Sequence, residues 1–96
     1  MIRRIDFIDR ISKKGYTKHD ATLIVDDFLR TLEEALVEGE SVVFRGFGTF
    51  EVRERAATER ISPTTKERVH VPAYRTPYFA AGKLLKREVK EGMIRE

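Results

Sequence analysis

The segment from Gly46 to Arg75 constrains this chain more than any other. It opens with Gly46-Phe47-Gly48-Thr49-Phe50 and runs out through Glu51 to Ala57. It then passes Ser62-Pro63-Thr64-Thr65 and returns through Arg68 to Arg75. Strand side chains alternate between two faces. On the outward leg Arg53, Arg55, Ala57, Glu59 and Ile61 share one face, and Val52, Glu54, Ala56, Thr58 and Arg60 share the other. On the return leg Val69, Val71, Ala73 and Arg75 lie opposite Arg68, His70 and Tyr74. Neither outward face is consistently apolar, so this is no core strand. Pro72 removes a ladder donor and places its strand at an edge. A two-stranded ribbon without a third element is marginal in water. The segment therefore predicts a protruding arm, mobile in the free protein, that needs a partner to lie on.

The flanks predict a folded base. Residues 3–14 read as a helix: Ile5, Ile8, Ile11 and Ser12 form one stripe with Phe7 beside it, while Arg4, Asp6, Asp9, Arg10 and Lys13 are polar. Gly15 suits a left-handed stop. Thr17-Lys18-His19-Asp20 resembles a capping box with Asp in the closing position. A second helix over roughly 18–38 repeats Ala21, Val25, Phe28, Leu32 and Leu36 at helical spacing, joined by Ile24, Leu29 and Ala35. That apolar face is wide enough to pack on more than one side. Gly39 ends it. Residues 41–45 read as a short strand, 46–48 as a turn and 49–53 as a resumed strand. A last helix over about 83–90 turns Leu84, Leu85 and Val89 inward and Lys83, Lys86, Arg87 and Lys90 outward; residues 91–96 form a tail.

The expected fold class is α+β in a single domain over 1–96. A helical hairpin covers 1–40, a three-stranded antiparallel sheet covers 41–79 with the arm at about 54–74, and a C-terminal helical segment covers 80–92. An arm of about 20 residues leaves a small core for a chain of 96 residues. Dimerisation would enlarge it.

Charge points to the arm's partner. The net charge is only +3, yet residues 1–50 carry −1 and residues 51–90 carry +5. A basic excess on the arm and on the residues C-terminal to it suits a polyanion. Other classes have little support. The chain has no cysteine, so it has neither a disulfide framework nor thiolate chemistry. His19 and His70 are isolated from any nucleophile, and two His without Cys give no metal-ligand spacing. Glu33 and Glu34 are adjacent on a helix and point apart. Gly46-Phe47-Gly48 precedes a strand rather than a helix, so it is no dinucleotide fingerprint. No catalytic residue, metal or cofactor is expected. The charged N-terminus has no apolar run, which argues against a signal peptide or membrane span and for a cytosolic protein. Phe47 and Phe50 beside a tight turn read as core or interface groups. Pro63 reads equally as a turn former or as an apolar wedge, and Ile61 is a second candidate wedge.

Gly15, Asp20-Ala21-Thr22, Glu34 to Glu40, Gly46 to Ala57, Pro63, Pro72-Ala73, Pro77, Gly82-Lys83 and Leu85-Lys86 together carry a resemblance. Over residues 1–90, without a gap, the chain resembles the HU and integration host factor family of bacterial DNA-bending proteins. The block from Gly46 to Ala57 is its most specific part. The resemblance implies an intertwined dimer in which helical hairpins form the base, strands form a saddle and two arms wrap the minor groove of double-stranded DNA. It implies that Phe47, Phe50 and Phe79 fill the shared core. Arg53, Arg55 and Arg75 would meet phosphates from the saddle and arm base, Lys83 and Lys86 from the last helix, and Arg3 at the DNA flank. Arg60, Lys66 and Arg68 are the arm's remaining candidate cations. Pro63 would be the wedge that kinks the duplex.

The arm tip departs from that pattern. The family's Arg-Asn-Pro followed by Thr-Gly is here Ile61-Ser62-Pro63-Thr64-Thr65-Lys66, so the tip Arg is lost. Lys66 replaces a Gly that favours positive φ, which predicts an altered turn. The usual basic pair before the tip is Thr58-Glu59, with Arg60 in place of Gly. Ala80 and Ala81 stand where a basic residue and Pro are common. The expected function is that of an architectural protein that binds duplex DNA with little sequence preference, bends it and organises a bacterial or phage genome in the cytoplasm. A homodimer is the expected assembly, with a heterodimer of paralogues as the alternative. A site-preferring regulator and a protein-binding scaffold on the same fold are the other readings.

Overall fold

A computed structural model of the chain describes residues 1–94. Arg95 and Glu96, the end of the expected tail, lie outside the described residues. The chain forms two compact units, Met1–Ala35 and a second beginning at Leu36.

The first unit is built by α1 (Arg4–Ser12) and α2 (Lys18–Val37), the latter running on into the second unit. The Arg3 backbone N–H donates to the Asp6 carboxylate at 3.0 Å and closes the first turn of α1, where an acid also complements the helix dipole. Gly15, at φ +117°, breaks the helix. The Thr17 hydroxyl then accepts the Asp20 N–H at 3.1 Å, satisfying an orphan donor at the start of α2. Ile8, Ala21 and Val25 are buried together with Ile11 against them. Ala21, with no side chain beyond Cβ, lets the helices approach. Arg4 clamps Asp26 across the pair with two hydrogen bonds of 2.9 and 2.7 Å.

Ile5 was expected on the buried stripe and instead is 59% exposed. At 3.6 residues per turn, Phe7 and Ile11 fall on one flank of Ile8 and Ile5 falls on the other. An open apolar groove of about 640 Å³ runs along the Phe7 and Ile11 flank, lined also by Ile2, Ile24, Phe28 and Leu29. Phe28 and Leu29 remain 49% and 50% exposed there.

The second unit holds an antiparallel sheet in the order β1 (Val42–Phe44), β2 (Gly48–Arg55), β5 (Tyr74–Ala81), with β2 central. A three-residue turn joins β1 to β2, closed by the Phe47 N–H on the Phe44 carbonyl at 2.9 Å, with Gly46 at φ +83°. Beyond the sheet, β3 (Thr58–Ile61) and β4 (Arg68–Val71) pair only with each other. The register is continuous along this whole hairpin. Arg55 pairs with Tyr74 and Thr58 with Val71, so residues 56–57 face residues 72–73 with no extra residue on either side. The ladder lapses where Pro72 has no N–H to give, and no bulge turns the faces over. Arm and sheet are one ribbon.

Two boundaries differ from expectation. The strand before the turn is Val42–Phe44 and Gly48 already belongs to β2. Ala80 and Ala81, expected in the helical segment 80–92, are the end of β5, where they pair with Thr49 and Gly48. The last helix, α3 (Lys83–Glu91), starts after Gly82, whose N–H donates to the Phe47 carbonyl at 2.9 Å. Among the described residues no helix is long and apolar enough to cross a membrane.

Candidate nucleic-acid interface

The continuous register assigns the ribbon's faces. Thr49, Glu51, Arg53 and Arg55 share a face with Tyr74, Thr76, Tyr78 and Ala80. Carried out along the arm, the same alternation puts Glu59, Ile61, Arg68 and His70 on that side. The opposite face carries Gly48, Phe50, Val52, Pro77, Phe79 and Ala81 in the sheet. Farther out it carries Glu54, Arg75, Thr58, Arg60, Val69 and Val71.

This sorts the expected site residues. Arg53 and Arg55 come together with Arg68 on one face. Arg75 does not join them: it lies on the other face, and its guanidinium packs where a Cβ on Gly39 would be only 3.1 Å away. Arg60 shares Arg75's face. Lys83 and Lys86 lie one turn apart on α3, exposed side by side. Arg3 belongs to the first unit, where its Nε meets Asp6 Oδ2 at 3.4 Å.

The guanidinium of Arg53 is held. It sits 3.5 Å above the Tyr78 ring centroid, and Nε donates to Glu51 Oε2 at 3.4 Å. A guanidinium stacked on an aromatic face keeps its outer N–H groups directed at solvent. On the arm, Arg68 Nη1 lies 3.5 Å from Glu59 Oε2. Arg55, Arg60, Lys66, Arg75, Lys83 and Lys86 form no ion pair among the described residues. They stand as free cations for an anion to engage.

The arm tip is a tight cap. The ladder register carries on to Ser62, whose N–H donates to the Glu67 carbonyl at 2.9 Å, and the Lys66 N–H donates back to the Ser62 carbonyl at 2.8 Å. The Ser62 hydroxyl accepts the Thr65 N–H at 3.4 Å and lies 3.1 Å from the Thr64 hydroxyl. Pro63 is exposed at the apex. Lys66 adopts the left-handed conformation itself, at φ +58°. The turn thus retains positive φ without Gly, at a cost of about 1–2 kcal/mol.

On the apolar face the rings of Phe50 and Phe79 lie 4.6 Å apart, and Phe47 and Phe79 5.6 Å apart. Phe44 joins them edge-on to Phe50 at 6.1 Å. Phe47 and Phe79 are nevertheless 48% and 39% exposed. Phe47, Phe50 and Phe79, expected to fill a shared core, meet through Phe79 within a single chain and leave much of Phe47 and Phe79 open.

A family model described as bacterial DNA-binding protein matches residues 2–90. The chain belongs to the bacterial DNA-binding protein family. Similar relatives include the DNA-binding protein HU of Thermotoga maritima, 45% identical over 86 residues, which cover 88% of this chain and 96% of that protein. The HU of Clostridium pasteurianum is 48% identical over 79 residues, covering 82% and 87% of the two chains. Among solved structures, a cocrystal of Anabaena HU with DNA matches with a TM-score of 0.83 at 39% identity, over 92% of this chain and 96% of that one. HU from Thermotoga maritima matches with a TM-score of 0.63 at 35% identity, over 91% and 97%.

Two contributors escaped the sequence reading. Phe44 was assigned only to a short strand, although it shares the face of Phe50. Tyr78 falls within the sheet expected over 41–79 with no role of its own, although it carries Arg53. Tyr78 pairs with Glu51, the second residue before Arg53, so its diagonal contact with Arg53 needs the strand register to be seen.

Proposed function

We propose that this protein is an architectural rather than catalytic factor that binds double-stranded DNA as a homodimer, lays its two arms in the minor groove and bends the duplex with little sequence preference. The observation that carries this reading is the match over 92% of the chain to a HU bound to DNA. The exposed cations of an arm that has no core of its own support it. Phosphate neutralisation by these cations releases condensed counterions and drives binding without base readout. In this reading Arg53, Arg55 and Arg68 meet phosphates from one face of each ribbon, and Arg60 and Arg75 from the other. Lys66 does so at the tip, Lys83 and Lys86 from α3, and Arg3 at the flank. Pro63 is the wedge at the apex.

A second copy of the chain is the occupant proposed for the exposed apolar surface. The groove beside Phe7 and Ile11 and the open side of the Phe47, Phe50 and Phe79 cluster are too large to leave to water. The family match spans residues of both units, which supports reading 1–96 as one functional domain. The protein would reside with the DNA it organises, in the nucleoid of a bacterium or on a phage genome.

The test is a gel-shift titration on random-sequence duplex, nicked duplex and single-stranded DNA across a salt series, with the oligomeric state measured alongside. Duplex binding that falls steeply with salt and varies little with sequence is expected. A flat salt response, or binding confined to one sequence, would overturn the reading.

A further inference from the structure

The arm carries its own acid against its own cation. Residues 58–71 hold Arg60, Lys66 and Arg68 against Glu59 and Glu67, a net charge of only +1 with His70 neutral. Glu59 pairs across the ladder with His70 and Ile61 with Arg68. Glu59 and Arg68 are therefore diagonal neighbours on one face, and their side chains meet at 3.5 Å. That face is the one carrying Arg53 and Arg55. Both members are largely exposed, at 62% for Glu59 and 82% for Arg68, so solvent and DNA can reach the pair.

We infer that Glu59 limits the DNA affinity of the arm by holding the Arg68 guanidinium in place of a phosphate. The inference rests on the DNA-binding reading above and names a residue that sets its strength. In the free protein the carboxylate lies in ion-pair range of one edge of the guanidinium, where a phosphate oxygen would approach it. For Arg68 to engage a phosphate it must leave Glu59, and the carboxylate is then left facing the polyanion. The arm's contact is an exchange of anions rather than a gain of one. An exposed pair is easily exchanged, so Glu59 attenuates binding without blocking it. Glu67 immediately precedes Arg68 in the chain and carries the same charge, but forms no ion pair with it among the described residues.

The experiment is a double-mutant cycle on the full chain, read by duplex-DNA affinity over a salt series. E59Q keeps shape and removes charge. It is expected to tighten binding about 2- to 5-fold per arm, the range of an exposed ion pair, and to steepen the log–log salt slope by at most about 0.9 per arm as Arg68 neutralises its phosphate without a competing carboxylate beside it. R68A is expected to cost more in the E59Q background than in the parent. E67Q is expected to gain less than E59Q. Equal losses from R68A in both backgrounds, or equal gains from E59Q and E67Q, would mean that net charge alone acts, and would overturn the inference. An E59Q with parental affinity would overturn it too. If the parent itself shows no salt-dependent duplex binding, it is the DNA-binding reading that fails. Far-UV circular dichroism of each variant confirms that the arm ladder is retained.

Discussion

Gly48 is the position where one added carbon does most damage. It is buried in β2, directly opposite Ala81. A Cβ built there would stand 2.6 Å from the Ala80 carbonyl oxygen and 2.7 Å from two ring atoms of Phe79. Neither neighbour is a flexible side-chain end. The oxygen belongs to the strand backbone, and the ring is stacked against Phe50 at 4.6 Å. Both must give by about half an ångström. Overpacking of this kind costs about 1–3 kcal/mol, and Ala returns about 0.4–1 kcal/mol by restricting the unfolded chain. The net loss expected for Gly48→Ala is about 1–2 kcal/mol, which for a domain near 100 residues lowers the melting temperature by about 5–15 °C. Gly46→Ala is the control. Its φ is +83°, and Gly48 too has positive φ at +157°, but the nearest atom to the carbon added at Gly46 is Leu84 Cδ2 at 3.8 Å, an ordinary contact. Its cost is left-handed strain alone, about 1 kcal/mol before the same unfolded-state offset. Both variants are melted by circular dichroism at one protomer concentration, because association shifts apparent stability. A Gly48→Ala protein that melts with the parent, or no lower than Gly46→Ala, would refute the close packing of β2 against β5.

Lys66→Gly removes the strain of a left-handed lysine at φ +58°. Less about 0.4–1 kcal/mol that Gly gives back to the unfolded chain, the relieved strain is expected to slow amide exchange within 58–71 roughly 2- to 5-fold, and unchanged or faster exchange would show that the tip stores no strain. Asp26 has its carboxyl held below its ordinary value by the hydrogen bond and charge of Arg4. A carboxylate whose folded pKa is depressed stabilises the fold above its unfolded pKa, and that contribution is lost as pH falls through the folded value. Asp9 is lowered likewise by Lys13, and in smaller part by Lys18. Stability measured by urea denaturation should therefore drop below about pH 4, and Asp26→Asn should flatten that drop while lowering stability at neutral pH; an identical acid profile for the variant would remove the pair from the account. Pro63→Ala should lower the bend angle, measured by energy transfer between duplex ends, more than it lowers affinity; an unchanged angle would rule out the wedge.

Much of the candidate site is legible in the sequence. Alternation along 52–61 and 68–75, together with Pro72, is enough to separate an arm from a core strand, because a ribbon with polar residues on both faces cannot bury itself. The helical hairpin follows from apolar spacing around Ile8, Ala21 and Val25. The block from Gly46 to Ala57 points to the family. Contacts between distant residues cannot be read in the same way. Lys66 looks like a threat to the left-handed tip, yet hydrogen bonds from Ser62 to Glu67 and from Lys66 to Ser62 impose it. Arg75 looks equivalent to Arg53 and Arg55, yet it faces the other way.

The sequence by itself determined the kinds of element, the arm, its cations and the class of anion they suit. These depend on local period, on turn residues and on charge, all of which are written along the chain. Only the tertiary structure decided which cations share a face, which of them are already engaged, and which apolar residues stay open. A strand's alternation defines its two faces but not which residue of the partner strand stands opposite. That depends on register, here continuous from the sheet to the arm tip. Register brings Tyr78 beneath Arg53 and Glu59 beside Arg68, and so separates the free cations from the held ones.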